Sequence, residues 1–203
     1  PRFNKRTDGE FFAHADLGFP GLQQQLLDAV LDAGVPTVLI LTGGQPWVLN
    51  NSTLRSNAIL HSLLGGEFTS SALMEIITGK INPSGKLTIS MPQHSGAVPA
   101  FYDYLPSDDT GGSDARLGFH SAYQWPVLGK DSPMPFGFGL SYTTFNFSSP
   151  TATYEKGSVL IRVNVKNTGK VAGKEVVQVY QRPNTSVGIE RPVRKLIRFE
   201  KVS

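Results

Sequence analysis

The chain has no cysteine in 203 residues, so nothing about the redox state of its compartment can be read from it. It also has no apolar run approaching the roughly 20 residues needed to cross a bilayer, which excludes a helical membrane span. Charged residues are scarce at 17%, against 39% hydrophobic, a balance that suits a globular chain and argues against disorder. The four histidines lack metal-ligand spacing, so no metal is expected. Gly43-Gly44 follows a strand-like run but carries neither the Walker nor the dinucleotide pattern, so no nucleotide cofactor is expected. Aromatic residues are not interleaved with a basic stripe, which argues against nucleic acid as a partner. Arg191, Arg194, Lys195, Arg198 and Lys201 form the one basic cluster, and it reads as the solvated face of a terminal strand, with an anion site as the alternative. No signal peptide is visible, but the chain begins at Pro1 rather than methionine and is expected to be a processed or partial sequence.

What is present falls into two halves around Pro135-Phe136-Gly137-Phe138-Gly139-Leu140-Ser141-Tyr142-Thr143-Thr144-Phe145. Two glycines between aromatics allow a sharp bend, and Leu140–Phe145 favours an extended strand. Upstream, Leu22, Leu26, Ala29, Val30 and Ala33 share one face of a helix expected over 20–33, stopped by Gly34 and Pro36. Residues 37–42 form a short apolar run, expected as a strand buried on both faces of a parallel sheet. A second strand is expected over 57–64, a helix over 70–78 and a third strand at Leu87–Met91, with Asn82-Pro83-Ser84-Gly85 as a turn. Between 93 and 134 periodicity is lost while aromatics persist, which suggests an ordered linker. Downstream, alternation at Val159, Ile161, Val163 and Val165, again at Val177 and Val179, and a run from Leu196 suggest a β-sandwich of which only part is present.

The hinge resembles the Pro-Phe-Gly-Tyr-Gly-Leu-Ser-Tyr-Thr-Thr-Phe segment of family 3 glycoside hydrolases, the β-glucosidase and β-xylosidase group. Asp16-Leu17-Gly18-Phe19-Pro20-Gly21-Leu22-Gln23 is similar to that family's Asp-Leu-x-Leu-Pro-Gly-x-Gln helix entry. Gly79–Leu87 resembles its Gly-x-x-x-Pro-Ser-Gly-Lys-Leu turn, and Asn167–Tyr180 and Arg191–Leu196 resemble its fibronectin type III-like domain. The resemblance implies an α/β fold class. A partial layered α/β sandwich domain would occupy residues 1–95, an ordered linker 96–136, and a truncated fibronectin type III-like β-sandwich 137–203.

In that family a barrel supplies the aspartate nucleophile within a Ser- or Thr-Asp-Trp motif, which this sequence lacks. The α/β domain supplies the acid/base glutamate, just before an Asp-Arg pair. Laid on this chain the pair falls at Ala13-His14, and Glu10 takes the acidic position, with Asp8 falling on another. Glu10 is thus the candidate general acid/base, against the plainer reading of an exposed loop glutamate. Glu67 follows Gly65-Gly66 in a loop that lies near the cleft in relatives, which makes it a candidate sugar contact or simply a surface glutamate near a helix N-terminus. Trp47 and Trp125 are of the type that stacks on sugars, though core packing is the more frequent role. His61, in an apolar run, reads as a satisfied core histidine.

Sequons at Asn50, Asn51, Asn146 and Asn184 make those residues glycosylation candidates and favour a secreted, extracellular protein. The implied function is part of a retaining β-glucosidase acting on terminal β-D-glucosyl residues. Its partners would be a β-glucoside or oligosaccharide substrate and the absent barrel. The alternatives are a β-xylosidase of the same family and a non-catalytic binding or scaffold module.

Overall fold

A computed structural model describes residues 16–92, 95, 102–103, 105, 134–182, 189 and 191–203. Its elements run α1 (Gln23–Asp32), β1 (Val38–Thr42), a 3-10 turn (Thr53–Arg55), β2 (Ala58–Leu63) and α2 (Thr69–Ile77). After the hinge come β3 (Phe145–Glu155), β4 (Ser158–Asn167), β5 (Glu175–Gln181) and β6 (Lys195–Val202).

The elements of the α/β half fall close to where the sequence pattern places them, but the apolar face expected for α1 is not the packed one: Leu22, Leu26, Ala29, Val30 and Ala33 are exposed, and Leu27 is the buried residue of the helix. Ala33 ends α1, and Gly34 follows at φ 72°, the left-handed position that commonly closes a helix. β1 and β2 pair in parallel, Val38 opposite Ala58 and Leu41 opposite His61, with an irregularity at Thr42. The core beneath them is Leu41, Trp47 and Leu49, with Phe19, Leu39, Ile59 and Met134 packed against it. A polar seam ties α1 to the loop before β2. Ser52 and Gln24 both donate to the Asp28 carboxylate, and Arg55 pairs with Asp32 at 3.0 Å. Thr53, fully buried, donates its backbone N–H to Asn50 Oδ1 at 2.8 Å.

Three further expectations need correction. β1 is not covered on both faces: Val38 and Ile40 are 44% and 39% exposed. They line a groove of about 330 Å³ with Leu26 and Val30 of α1, and no described element fills it. Leu87–Met91 is not a strand of the β1–β2 sheet. Its backbone instead meets the hinge: Leu87 N–H donates to Phe138 O at 2.8 Å, Gly137 N–H to Leu87 O at 2.7 Å, and Met91 N–H to Met134 O at 2.9 Å. Leu140–Thr144 is not a strand either, because its polar groups are drawn to side chains across the junction. Ser141 Oγ and Tyr142 N–H both donate to Asn82 Oδ1 at 2.8 Å. The strand begins only at Phe145.

The second half is two antiparallel hairpins. β3 and β4 turn through Lys156-Gly157, at φ 48° and 84°, the pair of positive angles that matches hairpin twist. β3 carries an irregularity between Ser148 and Thr151, where Ser149 sits at φ 51° beside Pro150. β5 and β6 pair with Glu175 opposite Val202 and Gln178 opposite Phe199. A groove of about 720 Å³, lined by Phe147, Ile161, Val163, Val177 and Tyr180, separates the hairpins.

Candidate functional site

In open α/β sheets ligands bind beyond the carboxyl ends of the strands. Here those ends form a lip. Gly43 N–H donates to Leu63 O at 3.2 Å, which joins the loop after β1 to the end of β2. Leu63 is held at φ 53°, an angle that a branched side chain adopts only under constraint. Such strain is found where surrounding structure fixes a functional loop. The chain then runs through Gly66, at φ 73°, into α2. Gly66 O accepts from Thr69 Oγ1 at 2.7 Å. A Cβ at Gly65 would overlap Thr69 Oγ1, so any other residue there would force the Thr69 side chain to shift.

Glu67 stands on this lip, exposed, between Leu64 and Phe68, which are 71% and 72% exposed. A carboxylate flanked by an aromatic and an aliphatic side chain can accept sugar hydroxyls while an apolar sugar face packs beside it. Glu67 lies two residues before α2 begins, outside its first turn.

Trp47 supports the lip from below and does not contact solvent: it is 6% exposed and meets Phe19 edge-on at 5.8 Å. It is a core residue and is not available for stacking on a sugar. A Cβ at Gly43 would come within 3.0 Å of its ring. Asp16–Phe19 is pinned to the same loop. Val48 N–H donates to Leu17 O at 2.9 Å, Leu17 N–H to Ser95 Oγ at 2.9 Å, and Gly18 N–H to Asp16 Oδ1 at 2.8 Å.

Glu10, Asp8, His14, Trp125 and Asn184 lie outside the described residues. His61 corrects its expectation: its Nε2 is buried with no hydrogen-bond partner among the described residues. Burial holds its pKa below the usual 6.5. Asn50, Asn51 and Asn146 are all exposed, Asn50 with its Oδ1 engaged by Thr53 and Asn146 on β3. Among the described residues no three acidic, histidine or cysteine side chains come together.

Sequence reasoning missed the side chains that join the two halves. Asn82 was legible only as a turn residue, yet it also donates through Nδ2 to Ala172 O at 2.9 Å. Lys86 meets Glu175 at 2.7 Å. An Asn-Pro pair gives no hint of a partner some 90 residues away.

Comparison with known proteins follows the same outline. Residues 3–142 match the family model of the glycosyl hydrolase family 3 C-terminal domain. A β-xylosidase of Formosa agariphila is 36% identical over 203 residues, covering 98% of this chain and 27% of that protein. A periplasmic β-glucosidase of Salmonella typhimurium is 35% identical, covering 96% and 26%. The crystal structure of a β-glucosidase from Listeria innocua in complex with glucose superposes with a TM-score of 0.77 at 32% identity, over 95% of this chain and 28% of that one. This chain thus spans about a quarter of the length of the curated relatives it matches. With the family match covering more than half of its residues, the chain belongs to glycosyl hydrolase family 3.

Proposed function

We propose that these residues form the C-terminal portion of a β-glucosidase that releases terminal β-D-glucosyl residues with retention of configuration. The observation that carries this reading is the end-to-end similarity to β-glucosidases. It extends through the α/β half and the hinge into the hairpins, at 32% identity with the glucose-bound Listeria enzyme. Retention needs two carboxyl groups about 5–5.5 Å apart. A partner barrel domain supplies the first as nucleophile. It attacks the anomeric carbon while the second gives its proton to the leaving oxygen. The second then takes a proton from the water that releases the sugar.

Glu10 is our candidate for the second group. It stands six positions before Asp16 in the sequence, so even a fully extended chain would place it no more than about 20 Å from that residue. Glu67 would contact the bound sugar. Residues 137–203 would form part of a fibronectin type III-like sandwich, a reading supported by two antiparallel hairpins facing one groove. Export from the cell is supported by the periplasmic Salmonella relative and by the sequons at Asn50, Asn51, Asn146 and Asn184. No helix among the described residues is long and apolar enough to cross a membrane.

A β-xylosidase is the second reading, favoured by the 36% identity to the Formosa protein. Aryl β-glucoside and aryl β-xyloside hydrolysis by the full-length polypeptide separates the two. The 203-residue chain alone is expected to be inactive on both. Turnover by that chain alone would mean that it holds its own nucleophile, and the split-site reading would fail.

A further inference from the structure

Helix α2 is short, nine residues, and buries no side chain completely. Met74 is 55% exposed and Ile77 39%. No side chain caps its N-terminus. A helix of this length is marginal without packing or capping, yet its N-terminal end carries the lip on which Glu67 stands. The restraint comes from its other end. The last carbonyls of a helix have no partner within it. One of them, Ile76 O, takes the Gly79 N–H beyond the helix at 2.9 Å and also accepts from the Tyr142 hydroxyl at 2.7 Å, across 66 positions of sequence. Tyr142 is itself fixed, because its N–H donates to Asn82 Oδ1 at 2.8 Å. Asn82 also accepts from Ser141 Oγ and donates to Ala172 O in the loop before β5. All of its side-chain hydrogen-bonding directions toward the junction thus converge on the hinge and the second half of the molecule. Ile81 N–H returns to Glu75 O at 3.0 Å, which ties Asn82 back to the helix.

We propose that Tyr142 and Asn82 act as a brace through which the hairpin half holds α2 in place, and with it the loop bearing Glu67. The hinge is then a cap for a helix in the other half as well as a bend in the chain. This inference goes beyond the sugar-binding reading of Glu67 and does not depend on it.

Amide hydrogen exchange in the full-length polypeptide tests it. Tyr142→Phe removes one hydroxyl and keeps the ring. Exchange at the Thr78 and Gly79 amides, which bond to Met74 O and Ile76 O, is expected to rise about fivefold, while β5 and β6 stay protected. Asn82→Ala is expected to do the same and also to expose the Tyr142 amide. Unchanged exchange across α2 in both variants overturns the proposal. So does a uniform rise that includes β5 and β6, since that reports general destabilisation. Because Tyr142→Phe is nearly isosteric, the folded state persists for the measurement.

Discussion

The Lys86 ammonium lies 2.7 Å from Glu175 Oε1, and the two side chains are only 16% and 12% exposed. Each charge has a second contact. Lys86 donates to Gly139 O at 2.7 Å, and Glu175 Oε1 accepts the Val176 N–H at 2.8 Å. The pair joins the turn after α2 to the first residue of β5. Removing one partner leaves the other largely desolvated. Lys86→Met or Glu175→Leu alone is expected to lower stability by about 2–4 kcal/mol, somewhat below the range for fully buried pairs. The double variant should recover part of that loss, because no orphan charge remains. Denaturant titration of the three variants measures the coupling. If the double variant equals the sum of the singles, the pair contributes nothing of its own.

Gly139 and Gly137 test the same junction sterically. A Cβ at 139 would overlap the Gly85 carbonyl oxygen, a backbone atom that cannot swing aside. At 137 the obstacles are Gln178 Oε1 and the Tyr180 hydroxyl, and φ there is 80°. Gly139→Ala is expected to lower stability by roughly 1–3 kcal/mol, as overpacking does. Alanine at Gly85, which meets nothing within 4 Å, should change far less. Thermal melts of the two variants side by side show whether the close approach matters.

Catalysis gives a third expectation, which concerns Glu10. An acid catalyst matters most when the leaving group is poor. In the full-length polypeptide, Glu10→Gln should slow hydrolysis of an alkyl β-glucoside by about 100-fold or more and affect a dinitrophenyl β-glucoside far less in its first step. Asp8→Asn should leave both rates near their starting values. Equal losses on both substrates would remove Glu10 from the acid role.

His61 gives a dependence on pH. Its folded pKa is depressed by burial, so between that value and 6.5 the unfolded chain binds the proton more readily than the folded one. The group's contribution to stability is therefore present above 6.5 and declines as pH falls through 6.5 toward the depressed value. Its partnerless Nε2 adds a reason for apolar replacement to be tolerated. His61→Leu is expected to flatten the stability loss in this window. Asp28 acts lower on the scale. Its hydrogen bonds from Ser52 and Gln24 depress its pKa below 3.8, so its contribution persists above 3.8 and is lost as pH falls through the folded value. Stability curves of the His61→Leu and Ser52→Ala variants should diverge from the parent in these separate windows.

Much of the fold was legible in the sequence, for identifiable reasons. Helices α1 and α2, strands β1 and β2, and the strands from Ser158 onward carry strong periodicity or end at glycine and proline, so local propensity places them, although the apolar face expected of α1 is exposed. The failures are tertiary. Leu87–Met91 alternates like a strand, but its backbone partner is the hinge. β3 was hidden past Phe145 because Ser149-Pro150 interrupts it with a bulge that reads as a break. Of the candidate site, Glu67 was singled out through the family resemblance of its loop, and the structure shows it exposed between exposed apolar neighbours. The junction contacts of Asn82, Lys86 and Tyr142 were not legible, since hydrogen bonds between distant turns leave no period in the chain.

The bond from Met91 N–H to Met134 O has a kinetic consequence. It fastens two points about 40 residues apart, and the loop between them must be closed before the contact gives anything back. The β3–β4 hairpin, with its two-residue turn, faces no such delay and can form within microseconds. Folding should therefore begin with the local hairpin and the α1–β1 unit. The junction should lock afterward, as the step that converts two loosely associated pieces into one cooperative body.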